Sequence, residues 1–301
     1  MTISPTPAAA ATHPLLSVFP DTPDPTAEIA SEGQLRAARF KRFRGEHQWL
    51  QWLGLTLLVV GAIVLLFNVI AGGVVIGVVL VAAIIIYAYQ ASKAEAEFFQ
   101  AYSAARGLTC DENPGWPGGE VPLLNHGDKR KYDRVLSGRI GGSNATIAEY
   151  TYTEITTDND GNRSETDFPF TLVHMLLPPP VANRFAGVYL RKKGLINIGG
   201  KLQDKLQHDR AVTTESADFH KRYNLRVIDD QDDIALFELF NTTFLHGVSV
   251  CEKVTGDDVQ WEQVRGNLVV YVKGHKEKVT ELDQLATLAA WIERRYLEEY
   301  Q

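Results

Sequence analysis

The chain has 301 residues, a net charge of −7 and 45% hydrophobic residues. From Gly107 onward it carries 23 Lys and Arg against 30 Asp and Glu, so this part is acidic. Nucleic-acid phosphates require clustered cations, so we expect no nucleic-acid partner. The two cysteines, Cys110 and Cys251, are too few for a disulfide framework and fit a reducing compartment.

The first segment, residues 1–34, is rich in Pro and Ala. Such a sequence buries too little apolar surface to offset the entropy of ordering, which predicts a disordered tail. Met1–Pro20 lacks the basic start and the apolar run of a secretory signal peptide, so none is expected.

A basic segment follows at residues 35–47. It has two compatible interpretations: an amphipathic segment lying on anionic lipid headgroups, or cations that only determine membrane topology. Its five cations, the candidates for contact with the membrane surface, are Arg36, Arg39, Lys41, Arg42 and Arg44.

The most informative stretch is Leu50–Tyr89, within a region free of Asp, Glu, Lys and Arg between Glu46 and Lys93. A single helix of Leu53–Tyr89 would measure about 55 Å at ~1.5 Å per residue, against a hydrocarbon core of ~30 Å. The stretch therefore predicts a transmembrane hairpin in residues 48–91, with spans at about 50–67 and 72–89 and a turn at Asn68–Gly73. The alternative is a buried hairpin of a soluble protein, which the apolar character on all sides disfavours.

The cations predict the orientation of this hairpin. Five precede the first span, the turn has none, and Lys93 and Arg106 follow the second span. Under the positive-inside rule, both termini are expected in the cytoplasm of a cell whose inner (plasma) membrane the hairpin crosses twice.

Two further features support the hairpin. Gly73 and Gly77 have the G-x-x-x-G spacing that permits close helix packing, either within the hairpin or between copies in a homo-oligomer. An aromatic belt at one membrane interface is predicted from Trp49, Trp52, Tyr87 and Tyr89.

Downstream, residues 92–106 are predicted to form a juxtamembrane helix, and Asn113–Gly119 a linker inside a cytoplasmic domain of residues 107–301. Strands followed by late helices predict an α+β fold with a mainly antiparallel sheet. The expected strands are Tyr132–Ile140, Ala145–Ile155, Phe168–Leu177, Arg184–Arg191, Ala211–Thr214, Leu225–Ile228, Val248–Glu252, a strand around Arg265-Gly266, and Leu268–Val272; the expected helices are Asp232–Leu245 and Val279–Tyr300.

No motif in the domain specifies chemistry. Thr156–Ser164 partly matches a calcium loop but lies between strands, and Gly194–Lys201 lacks the Ser or Thr of a P-loop. The histidines and cysteines show no zinc-site spacing. We therefore predict no catalytic residue, no metal site and no cofactor.

Glu215–Asp230, followed by Ile234-Ala and an apolar helix, resembles a segment of a family of uncharacterised bacterial inner-membrane proteins. Arg106-Gly-Leu108 and Thr171-Leu-Val173 are similar to further segments of that family, and the likeness covers roughly residues 50–295. The resemblance implies two N-terminal transmembrane helices and a C-terminal cytoplasmic domain of unknown function. It implies no activity and no site residue.

The sequence thus favours a membrane protein that tethers an interaction or sensing domain to the cytoplasmic face. Its expected partners are the lipid bilayer and another, unidentified protein. A membrane-anchored enzyme acting on a membrane-proximal substrate is the alternative. A small transport or channel subunit is disfavoured, because conduction paths usually contain ionisable residues and the spans have none.

Overall fold

The computed structural model describes residues 14–25, 27–112, 114, 120–193, 209–255 and 259–300. The chain divides into two compact units. One, here called the helical unit, comprises Glu28–Tyr102 and Glu277–Val279. The other, the sheet unit, comprises Met1–Ala27, Ser103–Lys276 and Thr280–Gln301.

The helical unit is built from α1 (Glu32–Glu46), α2 (Gln48–Phe67) and α3 (Val69–Arg106), whose last four residues belong to the sheet unit. A capping box starts α1: the Ser31 side chain accepts from the Gln34 backbone N–H, and the Gln34 side chain accepts from the Ser31 backbone N–H. Single residues, His47 and Asn68, separate the three helices. The turn between the two apolar helices is therefore Asn68 alone, shorter than the predicted Asn68–Gly73.

Within the described residues, the sheet unit contains nine strands paired antiparallel in the order β1-β2-β3-β4-β9-β8-β5-β7-β6. This sheet, with helices near the C-terminus, confirms the predicted α+β fold. The strands are β1 (Thr109–Asp111), β2 (Lys129–Ile140), β3 (Ser143–Thr157), β4 (Arg163–Leu176), β5 (Gly187–Lys192), β6 (Asp209–Val212), β7 (Tyr223–Ile228), β8 (Gln260–Val264) and β9 (Asn267–Lys273). The helices are α4 (Pro179–Arg184), α5 (Ala217–Arg222), α6 (Asp233–Leu239), α7 (Thr242–Thr255) and α8 (Val279–Glu298).

The later helices pack around Trp261 of β8. The Phe240 and Phe244 rings lie 6.1 and 5.9 Å from the Trp261 ring, and the indole N–H donates to the Tyr296 hydroxyl at 3.4 Å. The predicted apolar stripe of the C-terminal helix is confirmed, since its members are all buried: Leu282, Leu285, Leu288, Ala289, Ile292 and Tyr296.

A second buried cluster is mostly aromatic. Tyr152 stacks on Phe170 with ring centroids 5.6 Å apart, and Phe170 meets Tyr271 edge-on at 5.8 Å. A short 3-10 turn, Pro122–Asn125, contributes Leu123 and Leu124 to this cluster. The sheet unit therefore has buried apolar side chains from segments far apart in the sequence.

Turn geometry accounts for one misplaced strand. Arg265 and Gly266 have φ values of +46° and +86°, which suit a two-residue hairpin loop between β8 and β9. The predicted strand around Arg265-Gly266 is thus the turn, and the strand before it is Gln260–Val264.

Other predictions need correction. Val248–Glu252 is helical, within α7, and Arg184 ends α4 and is not in a strand. Part of the predicted tail is structured: Phe19 is fully buried and Val18 accepts a hydrogen bond from the Gly141 backbone N–H. Residues 1–13, most of the predicted linker Asn113–Gly119 and the P-loop-like Gly194–Lys201 lie outside the described residues.

Candidate membrane-contact site

The surface of α2 and α3 is the most apolar part of the structure. Among the described residues, 26 large apolar side chains are exposed, of which 11 lie in α2, 10 in α3 and 5 elsewhere. They occur along the length of both helices; Phe67, for example, is 87% exposed. Monomeric soluble proteins rarely expose contiguous apolar surface on this scale.

Length and composition of the two helices match a bilayer. Their most apolar 18-residue windows have mean hydropathies of 2.4 and 3.1, and only 6% of each window is buried. The 20 residues of α2 measure about 30 Å at ~1.5 Å per residue, equal to the hydrocarbon thickness. Two helices are therefore long and apolar enough to cross a membrane. A core helix of a soluble protein would instead be mostly buried.

Between Leu53 and Ile86, the two strongly polar side chains both have partners nearby. The Thr56 hydroxyl donates to the Trp52 carbonyl oxygen at 2.8 Å. The Asn68 side-chain oxygen accepts from the backbone N–H groups of Ile70 and Ala71 at 3.1 Å each, which caps α3. Such internal satisfaction is what a solvent without hydrogen-bonding groups requires.

Two glycines allow α2 and α3 to approach closely, and they differ from the predicted pair. A Cβ added at Gly72 would lie 2.5 Å from the Leu65 backbone, and one at Gly61 would lie 2.9 Å from Ile76. A Cβ at Gly73 or Gly77 would meet nothing within 4 Å. Within one chain, the close approach therefore depends on Gly61 and Gly72, while a contact of Gly73 and Gly77 between copies stays a prediction.

Three of the five candidate cations are paired within the helical unit. Arg36 contacts Glu32. Arg39 forms a bidentate ion pair with Glu97 of α3, and one of its two hydrogen bonds measures 2.7 Å. The hydrogen bond from Arg39 lowers the pKa of the Glu97 carboxyl. Arg42 pairs with the exposed Glu46 at 2.7 Å.

The aromatic residues of the predicted belt are all exposed. Each of the four side chains is more than half exposed: Trp49, Trp52, Tyr87 and Tyr89. Phe40 of α1 stacks on Tyr87 of α3 with ring centroids 5.0 Å apart. The start of α2 and the residues around Tyr87 thus carry amphipathic rings, the type enriched where a membrane meets water.

A polar cluster in the sheet unit bears on the enzyme alternative. The Thr151 hydroxyl lies 3.3 Å from His275 Nε2, and His275 Nδ1 lies 3.6 Å from Glu149 Oε1. The order of hydroxyl, imidazole and carboxylate matches a nucleophile relay. However, Glu149 also binds Arg134 at 3.0 Å, and Thr151 is only 6% exposed, so a substrate has little access to the hydroxyl.

A second polar cluster is a buried ion pair. Glu262 is fully buried and accepts from Arg191 at 2.6 and 2.9 Å and from the Leu123 backbone N–H at 2.8 Å. Burial lowers the pKa of Arg191, but the Glu262 carboxylate outweighs it, so the net shift is upward. Because Leu123 belongs to the 3-10 turn, this carboxylate fixes that turn over the sheet. In the part of the chain that the structure describes, no three His, Cys, Asp or Glu side chains are grouped as metal ligands.

No family model matches the chain, and neither a curated protein nor a solved structure matches it. The structure itself provides two long apolar helices and a β-rich unit, which is only loosely consistent with an uncharacterised membrane protein.

The sequence spacing indicates two of the ion pairs in α1, Arg36 with Glu32 and Arg42 with Glu46, but not the third. The pairing of Arg39 with Glu97 joins residues 58 positions apart, and the capping role of Asn68 depends on the helix bounds. The Asn68-Val-Ile sequence predicts a turn, and the cap becomes evident only from the bounds of α2 and α3.

Proposed function

We propose that this chain is an integral membrane protein whose α2 and α3 form a two-span hairpin in the inner (plasma) membrane. In this proposal the hairpin tethers the sheet unit to the cytoplasmic face, where that unit serves interaction or sensing. The observation that carries it is the exposed apolar surface around both helices, which lipid would cover.

Charge asymmetry supports the orientation. All cations near the hairpin flank its two open ends, and the Asn68 turn has none. Cytoplasmic loops carry an excess of Lys and Arg, so both termini belong in the cytoplasm and only the turn reaches the opposite side.

The burial of ionic groups in the sheet unit favours an interaction or sensing role over catalysis. The carboxylates of Glu149 and Glu262 are each matched by an arginine, Arg134 and Arg191 respectively, inside the fold. Such pairs contribute to a defined structure and leave neither of these two carboxylates free to act as an acid or base on a substrate. The partner we propose for the sheet unit is another protein.

Membrane integration is tested by alkaline extraction of membranes from cells that express the full chain. We expect the chain to stay in the membrane pellet at alkaline pH. We also expect it to enter the detergent phase when detergent-solubilised membranes are separated into detergent and aqueous phases. Release into the supernatant would show a peripheral protein and would refute the hairpin.

The proposed partner is tested by crosslinking in intact cells, followed by purification of the full chain from solubilised membranes. We expect a second protein to be crosslinked to the full chain, and we expect this crosslink to require the sheet unit. Its absence, combined with turnover of a membrane-proximal substrate by the purified chain, would favour the enzyme alternative.

A further inference from the structure

Two adjoining grooves lie where α1 meets the start of α2. The larger has a volume of about 640 Å³ and the smaller about 470 Å³. Three residues, Lys41, Arg44 and Gln51, line both grooves. The apolar lining of the larger groove includes Phe40, Phe43, Leu50, Ala83, Ile86 and Tyr87.

The two shared cations differ from their neighbours in α1. Arg36, Arg39 and Arg42 each pair with a carboxylate, whereas Lys41 and Arg44 form no ion pair among the described residues. Because they are three positions apart in a helix, their side chains lie on the same face. The larger groove therefore has an uncompensated positive rim above an apolar lining.

The position of the grooves relates them to the membrane interface. Leu50 and Gln51 lie in the first turn of α2, next to the exposed Trp49 and Trp52. If α2 spans the bilayer, this turn lies at headgroup level, where indole rings are enriched. A ligand here would have its charge at the headgroups and its apolar part toward the hydrocarbon.

We propose that these grooves bind one anionic phospholipid, with its phosphate between Lys41 and Arg44 and an acyl chain along Leu50, Ala83 and Ile86. This inference rests on the proposed membrane hairpin. Charge complementarity selects the anionic headgroup, and the apolar lining selects a lipid over free phosphate, which would leave that lining uncovered.

Arg42 provides a matched control. It lies in the same helix and has the same charge, but it lines neither groove and pairs with Glu46 at the surface. Arg44→Gln and Arg42→Gln therefore remove equal charge from positions two residues apart. A general attraction of α1 to an anionic surface would be weakened equally by both.

The test is native mass spectrometry of the full chain in mild detergent, titrated with phosphatidylglycerol or phosphatidylcholine. We expect one tightly bound phosphatidylglycerol per chain and weaker phosphatidylcholine binding. Lys41→Gln and Arg44→Gln should each weaken phosphatidylglycerol binding about fivefold, whereas Arg42→Gln should leave it unchanged and Arg44→Lys should largely restore it.

Several results would overturn the inference. Equal weakening by Arg42→Gln would show diffuse attraction, and competition by excess glycerol 3-phosphate would show an anion site without an acyl-chain groove. Displacement of the lipid by an acidic peptide would show a protein-docking site. Alkaline extraction of every variant separates the two proposals: a chain that stays in the membrane but shows no lipid preference refutes only the lipid site.

Discussion

The helical unit makes a sharp prediction at Gly72, where α2 and α3 come closest. An alanine Cβ there would lie 2.5 Å from the Leu65 backbone N and Cα, closer than real Cβ atoms approach other atoms. Backbone cannot move aside as a side chain can, so the two helices must separate. Overpacking of this kind typically costs ~1–3 kcal/mol of the free energy of unfolding.

Gly73→Ala is the matched comparison, since a Cβ at Gly73 meets nothing within 4 Å. Both substitutions gain about 1 kcal/mol of helix propensity relative to glycine, so the difference between them isolates the clash. We expect Gly72→Ala to be less stable than Gly73→Ala by ~1–3 kcal/mol. Gly61→Ala should fall between them, because its nearest neighbour, at 2.9 Å, is the Ile76 side chain.

The assay is unfolding of the full chain in mixed micelles by increasing sodium dodecyl sulfate, followed by circular dichroism. If Gly73→Ala destabilises the hairpin as much as Gly72→Ala, the assigned packing of α2 against α3 is wrong.

The oligomeric state of the Gly73→Leu variant tests the remaining prediction for Gly73. A change in oligomeric state without loss of stability indicates a contact between copies.

Three further predictions concern stability of the full chain in detergent. Asn68→Ala removes the cap of α3 and should cost about 0.5–2 kcal/mol, measured in the same denaturant titration; no loss would show that the cap is dispensable. Glu262→Gln leaves Arg191 buried without its counter-charge and should cost ~3–5 kcal/mol in thermal unfolding; a cost under about 1 kcal/mol would contradict the buried pair. Burial lowers the pKa of His174, so protonation favours the unfolded state, and stability should fall as the pH drops through the ordinary histidine pKa of about 6.5. His174→Gln should flatten that decrease, and identical pH profiles for the two proteins would refute this assignment.

The hairpin was predictable because its signal is local. A charge-free run of this length can adopt few structures, and the run alone predicts two helices. The stripe of α8 was predictable for the same reason, since Leu282, Leu285 and Leu288 recur at helical spacing. Even the turn was located, although the cap formed by Asn68 makes it shorter than expected.

The missed elements depend on distant partners. Gln260–Val264 has a polar sequence, yet it is a buried strand because Glu262 meets Arg191 and Leu123, which are 71 and 139 residues away. Val248–Glu252 alternates like a strand but continues the helix that begins at Thr242. Likewise, Arg39 pairs with Glu97, 58 positions away, and no local pattern in the sequence predicts that ion pair.

Topology tests the central claim most directly. Reporter fusions after residue 30 and after residue 301, compared with a reporter inserted at Asn68, give the side of the membrane for both ends and for the turn. The two-span hairpin predicts that both terminal reporters are active in the cytoplasm and that the reporter at Asn68 is active on the opposite side. A terminal reporter outside the cytoplasm, or a cytoplasmic reporter at Asn68, would contradict the hairpin.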